Sequence, residues 1–377
     1  MKVGLISSHS FDNPGGVKNH ILGLYGEFKK KGIDVKIIAP RRKASEDYGK
    51  DVILLGTSFP LKFAGTQADL DIHFNPLSLE KTLKEEAFDV LHFHNFGFPS
   101  AVQILERSKS LNVLTFHANL DGSRFFKSLP VFLDLFNGII NWKIDGIIGV
   151  AALNLKPFRK FSKPKIVIPN GIDLKEFGPD KGLIRKFASK DKINILFVGR
   201  IEERKGLIYL LEAYKILEKR FSNLRLIIVG SGPLKQECED FVRKNGLKEV
   251  YFEGYRKDSE LPRYFSTCDI FCSPAIFGES FGIVLLEALA SGKPITGFSN
   301  LGYKEFMKGK VGERFLAQPK DSAGLAQRLG ELVGNEVLRK KMGEWGLKEA
   351  QKYSWDKISQ RVLDFYEVCR KAKEKRG

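Results

Sequence analysis

Short apolar runs rich in β-branched residues alternate with longer amphipathic stretches along most of this chain. Lys2–Ser8 predicts a strand, and Gly16–Lys31 a helix with one apolar face. Val35–Ala39, Val52–Leu55 and Asp89–His94 predict further strands, the last followed by a helix from about Ser100 to Ser108. Asn112–His117, Gly146–Val150 and Lys165–Ile168 complete the strands of the first half. The alternation then restarts. Strands are expected at Ile193–Gly199, Leu224–Gly230, Val250–Gly254, Asp269–Ser273 and Lys293–Thr296. Helices are expected at Leu207–Phe221, Leu234–Asn245 and Phe281–Ala290. A β-α-β rhythm read twice predicts two doubly wound α/β domains, each a parallel sheet with helices on both faces. Between them, Pro169-Asn170-Gly171-Ile172-Asp173 has the turn chemistry of a hinge, giving expected domains at 1–169 and 170–352. Ligands bind beyond the carboxyl ends of strands in open α/β sheets, so two such halves predict a cleft between them. After about Asp321 the pattern is helical. The final helix, from Trp355 to about Lys371, carries an apolar stripe at Ile358, Val362, Phe365 and Tyr366 and must dock on another surface.

A length of 377 residues is natural for two domains, and 43% hydrophobic with 28% charged residues is a globular composition. No uninterrupted apolar run reaches the length of a membrane span. Met1–Ser8 is too short an apolar run for a secretory signal, so a cytoplasmic location is expected. The formal charge of +17 suits an anionic partner: a nucleotide, a nucleic acid or an acidic membrane surface. A nucleic acid is disfavoured, because neither a recognition helix nor aromatics of the RNA-binding type accompany the charge. The densest basic cluster, Arg370–Arg376, reads either as a solvated tail or as a peripheral hold on anionic lipid. Cys238, Cys268, Cys272 and Cys369 lack the neighbouring Cys or His ligands of a metal site and are expected as buried thiols.

Three segments carry candidate chemistry. Asn13-Pro14-Gly15-Gly16-Val17 follows the first strand and opens a helix. Glycine there lets the backbone approach a phosphate, although a tight turn without a ligand reads equally well, and the absence of G-x-G-x-x-G disfavours a dinucleotide cofactor. In Val198-Gly199-Arg200-Ile201-Glu202-Glu203-Arg204-Lys205-Gly206, Arg200 offers a planar fork and Lys205 a point charge, both suited to a diphosphate. The strongest segment is Gly278–Pro294. Glu279 stands before a helix whose start is expected to expose the amides of Phe281, Gly282 and Ile283, an arrangement able to hold sugar hydroxyls. Glu287 sits among Val284, Leu285, Leu286, Ala288 and Leu289, where an unpaired carboxylate is costly unless a ligand such as a ribose diol uses it.

Together with Thr115-Phe116-His117 and Pro169–Asp173, these segments resemble the family-four retaining glycosyltransferases of GT-B architecture over nearly the whole chain. Glu279 and Glu287, with seven residues between, match the most specific motif of that family. Ser10–Val17 and Gly278–Val284 look most like the phosphatidylinositol mannosyltransferases, which use GDP-mannose. The resemblance implies two Rossmann-like domains facing a cleft, with 353–377 crossing back onto the first. It implies that Gly16 contacts the donor diphosphate and that Arg200 and Lys205 neutralise it as it leaves. Glu279 with the Phe281 and Gly282 amides would hold the transferred sugar, and Glu287 the ribose. Base contacts would lie near Gly254-Tyr255-Arg256, and His117 would sit by the reacting centre. The implied reaction moves a hexosyl group, mannose from GDP-mannose favoured and a UDP-sugar the alternative, to a lipid or glycan acceptor. No Asp-x-Asp motif accompanies the donor segment, so no cofactor and no catalytic metal are expected.

The acceptor side departs from those mannosyltransferases. Where they carry a basic amphipathic helix, Asn75–Glu86 has two lysines and three glutamates, and where they place an arginine this chain has Asp69. Phosphatidylinositol is therefore a doubtful acceptor. A non-catalytic nucleotide-sugar-binding member is the competing reading, against which stands the intact set His117, Arg200, Lys205, Glu279 and Glu287.

Overall fold

The computed structural model describes residues 1–12, 15–63, 66–96, 99–119, 130–189 and 191–376, with the backbone alone for 60–63, 66–69 and 130–136. Asn13, Pro14 and the Asp69 side chain thus lie outside the described residues. The chain divides into two compact units: residues 1–171 with 355–377, and residues 172–354.

The first unit contains β1 (Lys2–Ser7), α1 (Gly16–Lys30), β2 (Asp34–Arg41), β3 (Val52–Phe63), β4 (Thr66–Ile72), α2 (Pro76–Glu86), β5 (Val90–His94), α3 (Ser100–Arg107), β6 (Leu111–Phe116), α4 (Pro130–Lys143), β7 (Gly146–Gly149) and β8 (Lys165–Val167). Its eight strands run in the order β4-β3-β2-β1-β5-β6-β7-β8. All pairs are parallel except β3 with β4. The strand predicted at Val52–Leu55 therefore continues to Phe63 and turns back as an antiparallel edge strand. The β-α rhythm gave no warning of this edge, although Ala68, Leu70 and Ile72 alternate with Gln67, Asp69 and Asp71 at strand spacing.

Side-chain alternation separates two cores. Val3, Leu5 and Val90 join one cluster, while Ile6, Leu91 and Phe93 join the other. The second unit contains β9 (Ile193–Val198), α5 (Leu207–Glu218), β10 (Leu224–Val229), α6 (Lys235–Lys244), β11 (Val250–Gly254), α7 (Leu261–Thr267), β12 (Ile270–Ser273), α8 (Ile283–Ala290), β13 (Ile295–Phe298), α9 (Leu301–Met307), β14 (Leu316–Ala317), α10 (Ser322–Val333) and α11 (Glu336–Ala350). Its six parallel strands run β11-β10-β9-β12-β13-β14. This is the doubly wound order, with the reversal between β9 and β12. In the first unit the equivalent reversal lies between β1 and β5. The four buried cysteines are free thiols.

α12 (Trp355–Glu374) belongs to the first unit. Its stripe of Ile358, Val362, Phe365 and Tyr366, extended by Cys369, is buried in the cluster that holds Val3, Leu5 and Phe28. At its start, the Trp355 indole fills the space a Cβ would need on both Gly23 of α1 and Gly171. It also stands edge-on to the His20 imidazole, ring centres 5.2 Å apart. Trp355→Ala is expected to cost on the order of 2–3 kcal/mol through the lost packing. A fall in the first unit's thermal midpoint with the second unit's unchanged is the result that checks it.

Candidate active site

The second unit gathers its chemistry where the strand order reverses. Gly199-Arg200 leaves the end of β9, and the segment from Pro274 to Gly282 leaves the end of β12. A single 3-10 turn, Glu203–Lys205, precedes α5 and points two successive cations the same way. Glu279 Oε1 accepts a hydrogen bond from Lys205 Nζ at 2.6 Å and another from Arg204 Nη1 at 3.0 Å. Burial alone would raise the Glu279 carboxyl, but Lys205 and Arg204 outweigh it and hold the group below its ordinary value. Arg204 Nε also lies 2.5 Å from Glu202 Oε1. Arg200 is half exposed, with its Nε 3.4 Å from Glu202 Oε2. The guanidinium that joins Lys205 on Glu279 is that of Arg204.

The helix predicted from Phe281 begins at Ile283 instead. Gly282 has φ 88° and ψ 63°, a left-handed conformation that no helix interior tolerates, and a side chain there would collide with Tyr303. The amides of Phe281 and Gly282 therefore precede α8, and only that of Ile283 belongs to its first turn. The Phe281 ring is buried against Phe306 and Tyr353, at 4.8 and 5.8 Å between ring centres, so its backbone alone faces the loop's chemistry. Tyr303 is itself fixed through its hydroxyl, 2.7 Å from Ser273 Oγ.

Glu287 lies one turn into α8, flanked by the fully buried Leu285, Leu286, Ala288 and Leu289. Its Oε2 is buried without a hydrogen-bond partner among the described residues. Burial first, then repulsion from Asp258 and Glu176, push its carboxyl up to about 8, against a weaker opposing pull from Lys205. Such a group is destabilising for the protein by itself and is suited to accepting hydroxyl donors. Tyr255 stands 60% exposed immediately after β11.

The first unit carries a separate constellation. Gly16 opens α1 as an exposed residue. His20 of α1, His94 at the end of β5 and His117 just after β6 come together as three imidazoles. His94 Nδ1 lies 3.4 Å from His117 Nε2, and the His20 ring centre is 5.2 and 4.8 Å from those of His94 and His117. His20 Nδ1 is 2.8 Å from Asn170 Oδ1. The backbone N–H of His117 donates to Asn95 Oδ1 at 2.8 Å, from a residue in the left-handed region at φ 59° that asparagine tolerates. Burial pushes His20 down to about 4, despite the Asn170 hydrogen bond, and holds His94 and His117 well below the ordinary range. His92, buried between Tyr366 Oη at 2.7 Å and Thr115 Oγ1 at 2.6 Å, ties β5 to α12 and β6 and has no atom left for a ligand.

Residues 181–349 match the family described as glycosyl transferases group 1, and residues 14–176 match glycosyltransferase family 4. A phosphatidyl-myo-inositol mannosyltransferase of Mycobacterium leprae is 32% identical over 383 residues, covering 98% of this chain and 97% of that protein. This chain belongs to the group 1 glycosyltransferases. The Mycobacterium tuberculosis protein of the same name is 31% identical over 382 residues, with 98% and 97% covered. Among solved structures, sucrose-phosphate synthase of Thermosynechococcus elongatus has a TM-score of 0.76 at 19% identity, covering 97% of this chain and 98% of that one. Anabaena HepE in complex with UDP and glucose has a TM-score of 0.76 at 18% identity, covering 97% and 99%. At such identities the likeness speaks for the fold, the two α/β parallel-sheet domains of the GT-B class.

Of two further residues in these constellations, Arg204 and His20, only the first escapes a reading of the sequence. Arg204 is hidden in a run of charges, Arg200-Ile201-Glu202-Glu203-Arg204-Lys205, where only the 3-10 turn decides which cation faces Glu279. His20 was legible, since His20, Leu24 and Phe28 recur every four residues on the buried face of α1. No helix among the transferase's described residues is long and apolar enough to cross a membrane. On α2, the lysines are engaged at i,i+4 with glutamates, Lys81 with Glu85 at 3.7 Å and Lys84 with Glu80 at 3.4 Å.

Proposed function

We propose that this glycosyltransferase moves a hexosyl group, mannose from GDP-mannose favoured, to a lipid or glycan acceptor with retention of anomeric configuration and without a catalytic metal. The observation that carries the reading is the pairing of Glu279, clamped by Lys205 and Arg204, with the buried Glu287 one turn into α8, whose Oε2 has no hydrogen-bond partner among the described residues. Glu287 takes the ribose diol, and Glu279 with the Phe281, Gly282 and Ile283 amides takes the sugar. Arg200 and Lys205 receive the diphosphate, and Tyr255 stands beside the base. In the first unit, Gly16 lets the backbone approach the diphosphate and His117 serves the reacting centre. The leaving diphosphate accumulates charge as the glycosidic bond breaks, so cations held in place before that moment lower the barrier without reorganising. The mannosyltransferase relatives support the choice of sugar. The lysines of α2 are engaged within their own helix, which supports an acceptor other than one gripped by a free basic patch.

Thermal shift with GDP-, UDP- and ADP-linked sugars checks the donor. The largest rise is expected for GDP-mannose, because stabilisation grows with ligand concentration over dissociation constant. A larger rise with a UDP-sugar would reassign the base, and no rise with any of them would contradict a nucleotide-sugar donor site. Transfer is also expected to survive exhaustive EDTA treatment within about twofold, since cations rather than a metal neutralise the leaving group here. Loss of activity in EDTA, restored by a divalent ion, would contradict this.

A further inference from the structure

We infer that His20, His94 and His117 form a binding site for one divalent transition-metal ion of the zinc class. Their ligand atoms all lie within 4.8 Å of one another. Two of them, His94 Nδ1 and His117 Nε2, are already 3.4 Å apart. Two nitrogens on a tetrahedral ion, each at roughly 2.0–2.1 Å, stand about 3.3 Å from one another. His20 needs only a modest side-chain movement to close the set, its ring being already 4.8 Å from that of His117.

The second, independent observation is the state of His20. Its Nδ1 faces Asn170 Oδ1, an acceptor, so Nδ1 carries the proton and donates it. The lone pair then resides on Nε2, which is buried and has no hydrogen-bond partner among the described residues. A carbonyl that fixes tautomer and ring orientation from behind is the usual support of a metal-bound histidine. His94 Nδ1 faces His117 Nε2 at 3.4 Å, too long for a strong hydrogen bond, so its lone pair is available to an ion. The ligands also stand on rigid supports: helix α1, the end of strand β5, and a residue whose backbone is tied to Asn95.

The ligand chemistry sets the ion. Three neutral imidazoles suit zinc, cobalt, nickel or copper and are poor ligands for magnesium or calcium, which require oxygen. Three neutral ligands leave both positive charges uncompensated, so the fourth position goes to an anion or a water-derived hydroxide. The ion is not the diphosphate-neutralising group of the transfer reaction. By occupying His117 it blocks that residue, so the loaded transferase is an inhibited form; this last consequence alone rests on the proposed role of His117.

The test is a titration of the full, metal-stripped chain with Co2+, followed by visible absorption and repeated as a competition with Zn2+. One equivalent is expected to produce intense tetrahedral d–d bands, which Zn2+ abolishes. Asn170→Ala is expected to weaken the affinity by about 10–100-fold through loss of ligand orientation. His20→Phe and His94→Phe should each abolish the bands while far-UV dichroism shows a folded protein, and His73→Ala should leave them unchanged. Absence of the bands in the wild type, or their persistence in folded His20→Phe and His94→Phe, overturns the site. Absorption is read without turnover, so the outcome does not depend on whether the donor assignment holds.

Discussion

Glu279→Ala is expected to lower sugar transfer by roughly 10³-fold while leaving nucleoside diphosphate affinity within a few-fold of the wild type. Glu279 Oε1 is the shared acceptor of Lys205 Nζ and Arg204 Nη1, and without it two cations lose both counter-charge and aim. Diphosphate binding survives because the cations remain present and one competing anion is gone. The reaction does not, because the carboxylate that orients Lys205, and that is proposed to hold the sugar, is lost. Lys205→Ala, by contrast, is expected to lose affinity and turnover together. Steady-state kinetics combined with calorimetric binding of GDP separates the two patterns. Full turnover in both variants would sink the active-transferase reading.

The second large effect concerns Glu287. Its carboxyl moves from the ordinary 4.5 to about 8 on folding. The folded state therefore binds more protons than the unfolded state between these values, and stability falls as pH rises through that window. The penalty is absent below about pH 4.5 and complete above about 8. At roughly 1.4 kcal/mol per tenfold change, its ceiling is on the order of 4–5 kcal/mol, which relaxation of the site reduces. Glu287→Gln keeps the shape and removes the ionisation. It is expected to raise the second unit's stability at pH 8 by about 1–3 kcal/mol and to flatten its pH dependence above pH 5, while weakening nucleotide binding at least about tenfold. Denaturant titrations at pH 5 and pH 8 with GDP calorimetry check both halves. A variant that gained stability and bound nucleotide as before would remove Glu287 from the donor site.

Much of this was written in local patterns. The β-α alternation gave both sheets, because buried parallel strands need continuous apolar runs and their crossovers need amphipathic helices. The stripe at Ile358, Val362, Phe365 and Tyr366 announced a docked helix. Glu287 stood out because an ionisable group inside Val284–Leu289 demands an explanation. What stayed hidden depended on distance in three dimensions. Nothing local distinguishes Arg204 from Arg200 until the 3-10 turn aims one of them at a residue 75 positions away. That position 282 admits only glycine follows from its αL conformation and from Tyr303 packed where a Cβ would stand, a contact between two elements. The antiparallel β4 departs from the β-α rhythm because its direction is set by pairing with β3, with no helix between them to mark a crossover.

The first unit is built from two stretches of chain with all of the second inserted between them. A ribosome therefore delivers the second unit as one contiguous piece, free to close its own core on emergence. The first unit, though made earlier, waits with the face formed by Val3, Leu5 and Phe28 uncovered until α12 arrives. Order of completion is thus the reverse of order of synthesis, and the interval between them is when this chain most needs protection from association with its neighbours.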